Sequence, residues 1–137
     1  MKRFIIAFIA AFIFIVLWGW FYNGILLKDV SAEVQSLFRP REEIMSLFYW
    51  IIIGQAGLAL SFVMIYASGF ARGGIAAGVR LGFMLEILAV SARCAIYATQ
   101  PFPAKLLVLI SIGGFVEMIV TGLIVGAIYK PASPRTS

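Results

Sequence analysis

The residues of this sequence that could do chemistry are few, and they stand in apolar surroundings. Arg80, Glu86 and Arg93 interrupt one long apolar run, Glu117 interrupts the next, and Gln55 lies in an earlier one. A charge near the centre of a bilayer costs on the order of 2.5–3.5 kcal/mol or more, so each of these groups needs a partner or a cavity. At about 1.5 Å of rise per helical residue, Glu86 and Glu117 fall close to the midpoints of their runs, and Gln55 falls within about a turn of its own midpoint. Arg93 follows Glu86 by seven residues, which puts it on the same helical face about two turns nearer the membrane surface. Its guanidinium can reach back to either carboxylate or snorkel outward. Arg80 occupies a different face near the opposite end, a snorkelling position.

Three readings of Gln55, Glu86, Arg93 and Glu117 stay open at this level. Two Arg and two Glu sum to zero charge, so ion pairs completed by Gln55 could simply cross-link the spans. Alternatively, two neighbouring carboxylates cannot both stay ionised cheaply in hydrocarbon, and one then serves as a proton or cation carrier. The third reading is a lipid or amphiphile headgroup site beside Arg93. No metal and no cofactor is expected, because two acids and an amide without His form a thin donor set. Catalytic constellations are missing: there is no Gly-rich phosphate loop, no Cys-x-x-Cys pair, no Asp-rich metal motif and no Ser-His arrangement, so no catalytic residue is assigned. Cys94, beside Arg93, reads as a small packing residue rather than an activated thiolate. Tyr66, Tyr97, Ser91 and Asn23 are possible hydrogen-bond partners within the bundle.

The elements that must position these groups follow from composition. Of 137 residues, 63% are hydrophobic and 12% charged, with a mean hydropathy of +1.04. A soluble domain is about half apolar and a quarter charged. Four apolar runs, 4–27, 44–70, 75–99 and 106–129, each reach the ~20 residues that cross a bilayer as helix. The expected fold is an all-α, four-helix transmembrane bundle forming a single domain. The first run follows Met1, Lys2 and Arg3, yet it is too long for a signal-peptide core and lacks a small-x-small cleavage site, so it is expected to be retained. In the longest connection, Val30, Val34, Leu37 and Phe38 share a face opposite Glu33, Gln35 and Ser36. That pattern suggests a short amphipathic helix in the interface, capped by Asp29 and stopped by Pro40. The other connections are short, so sequence neighbours are expected to be antiparallel neighbours in space.

An even number of spans puts both termini on one side. That side carries Lys2, Arg3, Arg72, Lys130 and Arg135 without an acid, and the other carries Lys28, Arg39, Arg41 and Lys105 with Asp29, Glu33, Glu42 and Glu43. The Lys/Arg excess favours cytoplasmic termini. Trp18, Trp20 and Tyr22, with Tyr49 and Trp50, then read as interface anchors on the far side. Gly74, Gly78 and Gly82 repeat every four residues, and Gly114, Gly122 and Gly126 share a face of the last helix. Stripes of small residues let helix backbones approach where lipid supplies no hydrophobic drive. Whether they serve two helices of one chain or a second copy stays open. The net charge of +5 is scattered singly, which argues against nucleic acid as a partner.

The run Phe21, Tyr22, Asn23, Gly24, Ile25, Leu26, Leu27, the Gly54–Gln55 pair, the Gly74, Gly78, Gly82–Phe83 ladder and the closing Tyr97–Ala98–Thr99 resemble a group of small uncharacterised bacterial four-helix membrane proteins. The resemblance implies four spans and a bacterial inner membrane. It brings no activity and no site residue: in those proteins the position of Asn23 is more often Gly, and the middle of the third helix is more apolar or carries a different acid. The leading expectation is a non-enzymatic membrane protein whose glycine stripes and aromatic belts meet the lipid bilayer, a second copy or other membrane subunits, as an oligomer or an accessory subunit of a larger complex. The alternative is a small proton- or cation-coupled carrier built on Glu86 and Glu117.

Overall fold

A computed structural model describes residues 2–129, which form helices joined by short turns, with no strand among them. The long helices are α1 (Lys2–Phe21), α4 (Phe48–Gly69), α5 (Gly74–Thr99) and α6 (Ala104–Ile128), with two short helices, α2 (Lys28–Glu33) and α3 (Arg41–Ser46), between the first two. Every proline of the described residues falls outside the long helices, so no interior hydrogen bond is lost to one. Four segments, Lys2–Leu26, Phe48–Gly69, Ala71–Thr99 and Ala104–Ile128, are long and apolar enough to cross a membrane, and the chain is a multi-pass membrane protein. Helices satisfy their own backbone polar groups, the condition for spanning hydrocarbon. Of the charges used to orient the bundle, Lys130 and Arg135 lie outside the described residues.

The third and fourth spans start and end close to the expected bounds, while the first two differ for local reasons. The α-helix of the first span ends at Phe21 and continues as a π-helical turn, Tyr22–Leu26. There the Asn23 side-chain amide donates to the Gly19 carbonyl at 3.0 Å, and the Leu27 N–H reaches back five residues to Tyr22 at 2.8 Å. The second span begins at Phe48, not Ile44. Residues 41–46 form the separate helix α3, which carries Glu42 and Glu43 in its first turn, where negative charge suits the helix dipole, and the chain bends at Leu47 before entering the bundle.

The amphipathic connection is present but broken. α2 ends at Glu33, a 3-10 turn covers Gln35–Leu37, and Phe38 is extended as the chain approaches Arg39–Pro40. Asp29 does not cap α2; Leu27 occupies the cap position, and Asp29 lies in the first turn. Pro40 does not stop α2 but opens α3. Val30 and Val34 are buried against Leu106, and Phe38 packs its ring on Phe102 with centroids 5.7 Å apart, whereas Leu37 is exposed. Part of the apolar face is therefore spent on the start of α6 rather than on lipid.

The tightest packing is between α5 and α6. A Cβ added at Gly78 would run into the Gly122 carbonyl oxygen, one at Gly122 into that of Gly78, and one at Gly82 into that of Met118. One at Gly126 would come within 2.7 Å of the Gly74 carbonyl oxygen. The glycine stripes thus serve two helices of the same chain. Gly74 has a second duty, since its φ of 63° is open only to glycine at this turn. α1 packs on both α4 and α6 through Ala7, Ala11 and Ile15, which meet Ala59, Phe62, Val63 and Tyr66 in the main core. The small pair Ala7 and Ala11, four residues apart, does for α1 what glycine does for α5.

One expectation about neighbours fails. α4 and α5 are joined by the short turn Ala71–Gly73 and pinned there by Tyr66, whose hydroxyl donates to the Gly74 carbonyl at 2.8 Å. Past the turn, Phe62, Val63 and Tyr66 share the buried core with Ala77 and Leu81; farther along, α4 packs on α1 and α5 on α6, and the two part around a cavity. The glycine–carbonyl contacts predict an asymmetry among substitutions: Gly78→Ala or Gly122→Ala should lower stability by about 1–3 kcal/mol or more through overpacking. Gly57→Ala, which meets nothing within 4 Å, should be neutral or slightly stabilising. Thermal unfolding in detergent distinguishes the three, and equal effects would refute the close-crossing account.

Candidate functional site

Glu86 is only 2% exposed in the middle of α5. Its Oε1 accepts from Arg93 Nη1, two turns along the same helix, in an ion pair that leaves the arginine partly exposed. Room for the carboxylate comes from across the interface: a Cβ at Gly114 would collide with Glu86 Oε1 and come within 2.6 Å of its Cδ. Gly114 is thus a cradle for a charged group, unlike Gly122 and Gly126, which make backbone contacts. A buried pair of this kind is held by complementary charge, and its loss on one side is costly because the other charge stays behind.

Glu117 projects from the middle of α6 into the gap where α4 and α5 part. The gap is a cavity of about 370 Å³ lined by Glu86, Arg93 and Glu117, with Leu58, Ser61 and Ile65 of α4 forming its far wall. Among the described residues no side-chain hydrogen bond or ion pair engages the Glu117 carboxylate. Its backbone carbonyl is taken instead, accepting from the buried Thr121 hydroxyl at 2.6 Å. Arg93 also borders a smaller pocket of about 140 Å³, between Phe38, Phe102, Leu106 and Tyr97, on the side of the expected amphiphile headgroup.

Gln55 does not join this site. α4 turns it toward α1, and a Cβ at Gly19 would come 2.9 Å from its Nε2. Its helical depth was legible, but its azimuth depends on α4 packing against α1. Arg80 is exposed, in keeping with a snorkelling position, and Cys94 is also exposed, so it is not the packing residue expected. Trp18 and Tyr22 are tied inward rather than set out as anchors. The Trp18 indole donates to the Gly113 carbonyl at 3.1 Å, the Tyr22 hydroxyl donates to the Leu109 carbonyl, and the rings stack with centroids 5.3 Å apart. Gly113 leaves space for the Tyr22 ring. Trp20, Tyr49 and Trp50 are exposed as anchors would be. Ser61, Phe62 and Gly114's role as a cradle were missed by sequence reasoning. The one available signal was Gly114 standing three residues before Glu117, on the same side of α6.

No protein-family model, no curated protein and no solved structure matches this chain. What the site can do rests on its geometry: a neutral buried pair, an acid without a partner, and a cavity in apolar walls. The pair predicts a specific coupling. Arg93→Gln alone strands the buried Glu86 carboxylate and should cost about 3 kcal/mol, whereas Glu86→Gln with Arg93→Gln should recover at least half of that. Additive losses across the double-mutant cycle, read by unfolding in detergent, would mean that the pair is not coupled.

Proposed function

We propose that this protein is a non-enzymatic, proton- or cation-coupled carrier of a bacterial cytoplasmic membrane, with both termini on the cytoplasmic side and Glu117 as its exchange site. The observation that carries this reading is the unpartnered Glu117 carboxylate facing a cavity next to a Glu86 whose charge Arg93 already matches. An uncompensated carboxylate at hydrocarbon depth is costly, so it holds either a proton or a cation, and exchange between the two is the elementary event of coupling. Arg93 makes Glu86 a fixed structural charge and leaves one acid free to cycle. Of the acidic pair expected from the sequence, Glu117 is the carrier and Glu86 its support.

The reading as an oligomer or accessory subunit drew on glycine stripes and aromatic belts as free surface. The stripes are occupied within the chain, and Trp18 and Tyr22 are engaged by α6. Trp20, Tyr49 and Trp50 remain for lipid or for another subunit.

The test is proton movement in liposomes holding the purified protein and an internal pH-sensitive dye, with a panel of inorganic and organic monovalent cations applied outside in turn. Wild-type protein should exchange protons for at least one of them, Glu117→Gln should reduce the exchange tenfold or more, and Arg80→Gln should retain it. Exchange that survives Glu117→Gln, or no exchange with any cation of the panel, would overturn the carrier reading.

A further inference from the structure

The mouth of the cavity restricts what can enter it. Leu88, in the wall next to Glu86, is 68% exposed, and Ser61 opposite it on α4 is exposed as well. Both stand near the middle of their helices, at the depth where the bundle surface meets hydrocarbon rather than water. The opening is lateral, between the diverging α4 and α5. A hydrated inorganic ion at that mouth would have to cross lipid first, whereas a compound dissolved in the bilayer meets it directly.

The interior selects further. Its walls are mostly apolar, with Leu58 and Ile65 of α4 and Leu85 and Leu88 of α5 lining it beside the acids. A volume of about 370 Å³ lies within the range of pockets for drug-sized ligands, roughly 300–1,000 Å³. Arg93 offers no net attraction to an anion, since Glu86 neutralises it, and the remaining charge is the one on ionised Glu117.

From the lateral mouth, the apolar walls and the single uncompensated acid, the geometry points to a hydrophobic monovalent cation as the cargo, entering from the bilayer between α4 and α5 and replacing the proton on Glu117. This rests on the carrier reading above and narrows it to a substrate class. One proton leaves as one positive charge enters, so the site stays neutral at each stage, and binding weakens as pH falls because proton and cargo compete for the same carboxylate.

The experiment measures equilibrium binding of tetraphenylphosphonium to the full-length protein in lipid nanodiscs, with tetramethylammonium as a hydrophilic cation and triphenylphosphine oxide as a neutral apolar control. Tetraphenylphosphonium alone should bind, release protons and lose affinity at low pH. Glu117→Gln should weaken it at least tenfold, and Leu88→Trp, which fills the mouth and keeps the acid, should weaken it too. Should Glu117→Gln fail to fold, Leu88→Trp and the neutral control still decide. Equal binding of the neutral compound, or undiminished binding in both variants, would overturn the inference. Absence of binding alongside Glu117-dependent exchange of inorganic cations would overturn it while leaving the carrier reading intact, and absence of both would remove the two together.

Discussion

The rest of the structure depends on the approach of α5 to α6, where Gly78 and Gly122 face each other's carbonyl oxygens without a side chain between them. In lipid there is no hydrophobic gain from bringing two apolar helices together, so the stabilisation must come from close van der Waals contact and from what that contact permits. At this distance the Glu86 carboxylate has a place only because residue 114 is also glycine. The same crossing leaves α4 to find its partner elsewhere, on α1.

This uneven packing of the bundle has a consequence for the site. α5 and α6 form the one tight pair, and α1 packs to a similar extent on α6 and on α4. Trp18 and Tyr22 are the polar stitches of that junction, each donating to an α6 carbonyl that would otherwise bond only within its helix. On the other side α4 and α5 are joined at the turn around Tyr66 and Gly74 and then part. A cavity with Glu86, Arg93 and Glu117 in its lining is what remains between them.

Much of this was legible in the sequence. The spans are dictated by the cost of burying unsatisfied backbone in hydrocarbon, and that constraint reads out as long apolar runs whose extent barely moved in α5 and α6. The four-residue glycine spacing marked the contact face, and the seven-residue step from Glu86 put Arg93 on the same face, because both are properties of a single helix; which carboxylate the guanidinium meets was left open. Where local chemistry competed with the run, the boundaries moved: the first span ends in a π turn in which the Asn23 amide takes the Gly19 carbonyl, and residues 41–46, with two acids in their first turn, form a helix separate from the second.

What a single helix cannot state is which neighbour each face will meet. The sequence by itself determined the four spans, the depth of Glu86 and Glu117 and the stripe that packs α5. Only the tertiary structure decided that Gln55 turns toward α1, that Trp18 and Tyr22 turn inward, that Gly114 yields to a carboxylate and that α4 leaves α5 to open a cleft. The reason is physical. Depth and face follow from rise and rotation per residue along one chain segment, whereas azimuth and partner follow from the packing of several helices at once, where every close contact excludes another.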